Sequence, residues 1–367
     1  MSIYLVIVAL TLILGALMPQ KGRRRVYYII LLTVIHAFVQ AFRYNHLTGD
    51  LMKYHSTFNN TASYGWFSED LLQGGRNSGF FMLMKLVNEL TGGDFQMLLI
   101  VISVFIHLVL GYVIYRYSPA PWMSFLVWNC MSLYIFGFSA IKQALAMAFV
   151  MLSFIGISEK RPWLFLSMMA LAGLVHVPAL VFLPAYWLTS KRVNSGTIFL
   201  YLLLGVLLYV FKNQFVEFIR SFYYDDDEIF FFSGQLGSRF IMILGFTLFG
   251  LLFMGFRNRD FEKMFHLMAI ATILQMLSGF DNIFTRLTDY YFQFSILYLP
   301  MTFFPSQRRL QRTYTRPIFP FNERSLKALA GLIVVFVIWF YYTYNINITI
   351  ANSVDDYLNF RFMWDVK

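Results

Sequence analysis

Long apolar segments recur along the whole chain, and each is interrupted by charged residues, proline or glycine. A helix that crosses the hydrocarbon of a bilayer needs about 20 mostly apolar residues, and most of these segments approach that length. We therefore predict an all-α polytopic membrane protein with about twelve transmembrane helices in one domain spanning residues 1–367. The predicted helices cover residues 3–18, 26–42, 95–115, 120–136, 140–157, 162–176, 178–189, 197–211, 239–256, 264–280, 287–304 and 326–345.

The polar segments between these helices predict long loops on one side of the membrane. They are residues 43–94 and 212–238, together with the tail 345–367. Within the first loop, residues 78–90 place apolar side chains opposite polar ones at helical spacing, which is typical of a short helix lying in the membrane interface. The two segments on either side of His176 are short, which indicates half-helices or a bend within the membrane.

Composition excludes a water-soluble enzyme. The chain is 59% hydrophobic and only 13% charged, with a mean hydropathy of +0.61, and a soluble core cannot bury so much apolar surface. Its single cysteine, Cys130, lies in an apolar segment and matches no disulfide, zinc or redox pattern. We predict neither a cofactor nor a bound metal.

The distribution of charge predicts the orientation. Basic residues in short loops are retained on the cytoplasmic side, and the cluster from Lys21 to Arg25 begins a series of basic loops on one side. Most acidic residues, both termini and the long polar loops then face outward. The net charge of +10 is mostly on the inner face, so we expect anionic membrane lipid as a partner and no nucleic acid.

Several polar residues lie at the outward ends of predicted helices or in the outer loop after the second one, where topology alone does not require them. They are Arg43, Asp50, Tyr54, Lys142, Gln143, His176, Arg239, Arg286, Asp289 and Tyr290. A cation inside a membrane costs free energy unless it is paired or hydrated, so such residues indicate function. If the bundle brings the four cations together, they form a pocket for a phosphate or pyrophosphate, to which guanidinium groups bind bidentately.

A second interpretation stays open for several of these residues. An arginine at a helix end can extend to lipid headgroups, and this applies to Arg43, Arg239 and Arg286 taken singly. His176 can be a hydrogen-bonded packing residue as well as a functional one. The convergence of these residues on one membrane face favours a site.

At these positions the sequence resembles the EpsG-like, Wzy-type polymerases of bacterial surface polysaccharides. The segments that carry the resemblance are Arg43, Thr48-Gly49-Asp50 with Tyr54, Lys142-Gln143, His176-Val177-Pro178-Ala179 with Leu183-Pro184, and Arg286 with Tyr290. The chain departs from the family pattern in three ways. Thr48 and Gly49 are transposed, Lys142 stands where arginine is usual, and Pro178 stands where serine is usual.

The resemblance implies glycosyl transfer at the outer face of the bacterial inner membrane, in the periplasm or at the cell exterior. Oligosaccharide repeat units on undecaprenyl pyrophosphate would be joined into an O-antigen, capsule or exopolysaccharide. Asp50 is the first candidate for the base and His176 the second, while Arg43, Lys142, Arg239 and Arg286 would stabilise the leaving pyrophosphate.

Further candidates complete this hypothesis. The remaining predicted contacts to pyrophosphate or sugar are Tyr54, Gln143, Asp289 and Tyr290. A protein that regulates chain length is a candidate partner. A ligase of lipid-linked sugars, an outward-facing acyltransferase and a polysaccharide flippase remain alternatives, although a flippase would place its polar groups near the midplane on broken helices.

Overall fold

A computed structural model of the chain describes residues 3–18, 21–44, 50–72, 76–223, 236–254 and 259–304, and the isolated positions 329, 332, 333, 336 and 362–364. The backbone, but not the side chain, is described for Asp50 and for residues 220–223 and 252–254. Within this part of the chain the structure is helical and has no strand beyond a single bridge between Arg43 and Phe362. The predicted all-α class is confirmed.

The described part of the chain forms seventeen α-helices. They are α1 (Ile3–Leu17), α2 (Gly22–Ala41), α3 (Asp50–Asn60), α4 (Glu69–Leu72), α5 (Ser78–Thr91), α6 (Phe95–Tyr117), α7 (Pro121–Cys130), α8 (Leu133–Phe136), α9 (Ile141–Glu159), α10 (Pro162–Val175), α11 (Ala185–Leu188), α12 (Ser195–Val210), α13 (Lys212–Tyr223), α14 (Ser238–Met254), α15 (Arg259–Met276), α16 (Ile283–Phe292) and α17 (Ser295–Phe303). Among the described residues, three 3₁₀ segments lie between these helices, at Thr61–Ser63, Val177–Phe182 and Leu277–Gly279.

Most predicted membrane helices correspond to observed ones, and several are broken. The predicted helix at 120–136 is α7 followed by α8, and the one at 287–304 straddles α16 and α17. The segment 178–189 is a 3₁₀ turn followed by α11, which confirms the expected irregularity after His176. The predicted helix at 326–345 lies almost entirely outside the described residues.

Two of the described helices, α6 and α9, are long and apolar enough to cross a membrane alone. A third span is formed if α12 and the first part of α13, which meet at an angle of 82°, count together. The other apolar helices are shorter. The count of about twelve transmembrane helices stays a prediction.

Helices α9 and α10 form an antiparallel hairpin. Lys160 adopts a left-handed conformation with φ of 58°, and the Arg161 amide donates to the Gly156 carbonyl at 2.8 Å, which is how a Schellman motif ends a helix. A Cβ on Gly156 would lie 2.6 Å from the amide nitrogen of Phe165, so only glycine allows this close approach. Because the two helices are antiparallel, the start of α9 and the end of α10 lie at the same end of the bundle.

The long polar segments contain helices that the sequence analysis described as loops. Residues 43–94 contain α3 and α4 as well as the expected α5, and residues 212–238 begin with α13. In α13, Phe215, Val216 and Ile219 lie on one face at helical spacing, and the polar residues between them hid this periodicity. Helix α5 confirms the short helix predicted at 78–90, and it packs on α10 where Gly79 meets Leu174.

Candidate functional site

The chain changes direction at His176, where α10 ends. The His176 backbone is extended, with φ of −154°, and its amide donates to the Ala172 carbonyl at 2.8 Å. Next, the Val177 amide donates to Oδ1 of Asn77 at 3.3 Å, and Pro178 is the second residue of the 3₁₀ turn that begins there. Asn77 thus holds the turn in place from the residue that precedes α5.

The His176 side chain points to α16. Its Nδ1 lies 2.6 Å from the hydroxyl oxygen of Tyr290, and both side chains are buried. Which of the two groups donates depends on the tautomer of the imidazole. When Nδ1 carries the hydrogen and donates to Tyr290, Nε2 is left with a lone pair that can accept a proton.

Two cations lie beside this pair. Lys142, at the start of α9, and Arg286, on α16, are both close enough to act electrostatically on the His176 ring. The amide Nε2 of Gln143 donates to the Arg286 carbonyl at 3.0 Å, which ties the start of α9 to α16. The Arg286 side chain itself is exposed.

Helix α16 presents Arg286, Asp289 and Tyr290 on one face, because residues three and four positions apart are neighbours on a helix. Asp289 is buried and is bound by the Arg239 guanidinium, which comes from the start of α14. The Arg239 guanidinium also lies 5.3 Å from the centre of the Phe292 ring. Arg239 is therefore the counter-ion of a buried carboxylate and does not simply extend to lipid headgroups.

The Arg43 guanidinium belongs to a neighbouring group of residues at the end of α2. It is 4% exposed, donates to the Gln40 carbonyl, lies 3.5 Å from the Ser103 hydroxyl and sits 5.2 Å from the centre of the Phe138 ring. Such burial does not fit a side chain that extends into lipid headgroups. Phe138 lies four residues before Lys142, so the segment 138–142 links this group with the start of α9.

The candidate base Asp50 begins α3, but its side chain lies outside the described part of the structure. Tyr54 follows one helical turn later, and its ring packs edge-on against Phe80 with centroids 5.5 Å apart. Phe80 is on α5, directly after Asn77 and Gly79, so α3 is connected to the His176 turn through α5.

The structure therefore brings together seven of the ten predicted residues. These are Lys142, Gln143, His176, Arg239, Arg286, Asp289 and Tyr290. The group holds three permanent cations against one carboxylate, an arrangement that attracts a polyanion. Within the described residues no cluster of three or more His, Cys, Asp or Glu side chains is placed to hold a metal ion.

Sequence reasoning missed the residues that position this group. Asn77 and Phe292 act through contacts with residues far away in the chain or on another helix, and nothing in their local sequence marks them. Asn77 does adopt a left-handed conformation, with φ of 56°, which asparagine tolerates better than most residues. That preference could have marked the turn but not its partner.

Comparison with known proteins identifies the family of the chain. The sequence profile of the EpsG family matches residues 26–361, which include every candidate residue from Arg43 to Tyr290. No curated protein and no solved structure matches the chain.

Proposed function

This chain belongs to the EpsG family of polysaccharide polymerase-like membrane proteins, and we propose that it joins lipid-linked oligosaccharide repeat units into a polysaccharide. The observation that supports this proposal is the position of Lys142 and Arg286 beside the His176–Tyr290 pair, with the Arg239–Asp289 ion pair at the same helix. Such a group combines a proton acceptor with an excess of positive charge. Membership of the family makes the chain a membrane protein of polysaccharide biosynthesis.

The proposed reaction is glycosyl transfer between two lipid-linked saccharides. The terminal hydroxyl of the acceptor attacks the anomeric carbon of the donor chain. A new glycosidic C–O bond forms while the C–O bond to the pyrophosphate of the undecaprenyl carrier breaks. The pyrophosphate leaves with the bonding electron pair, and the hydroxyl proton passes to the base.

Lys142 and Arg286 would stabilise the leaving pyrophosphate. Charge develops on its oxygens as the bond breaks, and cations held in place beside the leaving group stabilise this charge. Arg239 is already bound to Asp289, so its charge would contribute less than the other two. Gln143 would act indirectly by fixing the backbone of Arg286.

Two residues remain candidates for the base. His176 has an accepting Nε2 in the tautomer that donates to Tyr290, and its ring is fixed by that hydrogen bond. Asp50 precedes Tyr54 by one helical turn and would accept the proton as a carboxylate. A ligase would use the same pyrophosphate site with a different acceptor, so the product must be identified.

The experiment uses the purified protein with lipid-linked repeat units as both donor and acceptor. We expect a ladder of products that grows by whole repeat units, together with free undecaprenyl pyrophosphate. Single transfer without a ladder would contradict polymerisation and favour the ligase. Absence of released pyrophosphate would contradict glycosyl transfer from this carrier.

The same assay identifies the base. Loss of a catalytic base lowers turnover by about 100-fold or more. We compare His176→Ala and Asp50→Asn with the control Asp70→Asn, which changes an exposed carboxylate on α4. Loss of turnover in only one of the first two variants identifies the base, whereas normal turnover in both would contradict base catalysis by either residue.

A further inference from the structure

A cavity of about 400 Å³ opens at the end of the bundle opposite the candidate site. Helix α14 begins at Arg239 in the site, and α15 begins at Arg259, whose guanidinium donates to the Thr189 carbonyl at 3.0 Å. The turn at 189–194 is therefore at the far end of α14. The residues that line the cavity and carry the argument are Trp187, Leu188, Lys191, Arg192, Thr197 and Leu200.

The cavity has an excess of positive charge. Lys191 Nζ lies 4.7 Å from the centre of the Trp187 ring, and among the described residues no carboxylate pairs with it. Arg192 lies 3.3 Å from Glu262, but Glu262 is also bound by Arg259 at 2.6 Å, so two arginines share one carboxylate. An anion that enters the cavity would thus meet cations that are not neutralised.

The backbone adds further attraction for an anion. Helix α12 begins at the cavity, where Oδ1 of Asn194 caps it by accepting from the Thr197 amide at 2.9 Å. The N-terminus of a helix carries a partial positive charge from its aligned peptide dipoles. Gly196, at the first turn, adds no side chain that would cover this end.

An apolar surface leads away from this cationic cavity. Tyr201 is the one buried residue of α12, whereas Phe199, Leu202 and Val206 are each at least 60% exposed. A helix of 16 residues is about 24 Å long, which approaches the thickness of the hydrocarbon in a bilayer. Trp187 is 59% exposed at the rim, and tryptophan is enriched where hydrocarbon meets headgroups.

We propose that this cavity binds the phosphate headgroup of an anionic phospholipid whose acyl chains lie along the exposed side of α12. Lys191, Arg192 and the start of α12 would bind the phosphate, and Trp187 would lie at the level of the glycerol. The continuity of cations with a long exposed apolar surface favours a lipid over a soluble phosphate compound. The site is distinct from the one proposed for glycosyl transfer and does not depend on it.

The experiment measures lipid binding to the purified protein in detergent by native mass spectrometry. Phosphatidylglycerol and phosphatidylcholine with identical acyl chains are compared, and inorganic phosphate is added as a competitor in a separate series. Each basic residue near an anionic lipid surface contributes about 1 kcal/mol, so Lys191→Gln with Arg192→Gln should weaken binding of phosphatidylglycerol about tenfold or more. Binding of phosphatidylcholine should not change.

Matched control variants distinguish lipid binding in this cavity from a general effect of surface charge. Lys160→Gln with Arg161→Gln removes an equivalent exposed pair at the same end of the bundle, and it should leave binding within twofold. Lys191→Gln alone removes one of the two cations and should weaken binding about fivefold. The side chain contacts the exposed Trp187 ring, so the protein should stay folded.

Three results would overturn the proposal. One is equal loss of binding in both double variants, which would indicate diffuse attraction. Another is equal affinity for the two lipids. The third is complete displacement by millimolar inorganic phosphate, which would identify a site for a soluble anion.

Discussion

The arginines of the site differ in how their charges are compensated. Arg239 is mostly buried and bound to Asp289, whereas the Arg286 side chain is exposed beside the His176 ring. Removing one partner of a buried ion pair leaves an uncompensated charge and costs stability. Removing an exposed cation that acts on substrate costs activity instead. Substitution of Arg239 should therefore lower stability, whereas substitution of Arg286 should lower activity.

Arg286→Ala should lose activity while keeping stability. The hydrogen bond from Gln143 goes to the backbone carbonyl of Arg286, so truncation of the side chain preserves it. Loss of one donor to developing negative charge typically lowers turnover about 100-fold to 1,000-fold. Arg286→Lys should retain part of the activity because it keeps the charge and loses the planar fork. Polymer formation and thermal unfolding are measured for both, and equal, near-normal rates would contradict a substrate role.

Arg239→Ala should instead lower the stability of the protein. It leaves Asp289 buried without its guanidinium, which costs about 3–5 kcal/mol. Adding Asp289→Asn removes the buried charge and should restore most of the lost stability. The free energy of unfolding of the two variants and the double variant is compared, and a double variant as unstable as Arg239→Ala would show that the pair is not the cause.

At the scale of elements, the α9–α10 hairpin is the device that places the site. It returns the chain to the end where α9 began, so that Lys142 and His176 lie close together although they are far apart in sequence. The hairpin depends on close contact of its two helices at Gly156. The 3₁₀ turn that begins at Val177 follows directly, and the His176 ring faces α16.

Gly156→Ala should destabilise the protein by about 1–3 kcal/mol, because the added methyl group meets the backbone of Phe165. The control is Gly245→Ala on α14, where nothing lies within 4 Å of a new Cβ. That change should be neutral or stabilising, since alanine favours helix over glycine by about 1 kcal/mol. Thermal unfolding in detergent measures both, and equal effects of the two substitutions would contradict close packing at Gly156.

At the scale of the whole molecule, the two ends of the bundle carry different chemistry. One end holds the cationic group around His176, and the other holds the cavity beside Lys191. The positive-inside rule predicts that the Lys191 end faces the cytoplasm. The sites proposed for transfer and for lipid would then lie on opposite faces of the membrane.

Cysteine labelling tests this orientation. Gln214 on α13 and Ser190 beside the cavity are both exposed, and the native Cys130 is buried and should react little. In intact spheroplasts an impermeant thiol reagent should label Gln214→Cys and spare Ser190→Cys, whereas permeabilised cells should label both. The reverse pattern would place the candidate site on the cytoplasmic face and contradict the proposed reaction.

The fold was predictable wherever the local pattern is regular. Continuous apolar runs such as those of α6 and α9 allow no other interpretation in an all-α protein, so the sequence identified them within a few residues. The breaks between α7 and α8 and the helix α13 were not predicted. The break lies at Ser132, which has the left-handed φ of 62° that serine seldom adopts, so its residue type does not mark it. Helix α13 is a polar amphipathic segment, which resembles a loop in composition.

The sequence by itself determined that this chain is a membrane protein with apolar helices, and it determined which polar residues lie at the ends of those helices. These properties depend only on residue type and on order along the chain. Only the tertiary structure decided how those residues are combined. It bound Arg239 to Asp289, joined His176 to Tyr290 and left the Arg286 side chain exposed beside them. Charge pairing and hydrogen bonding act over a few ångströms between helices that are distant in sequence, so no local pattern encodes them.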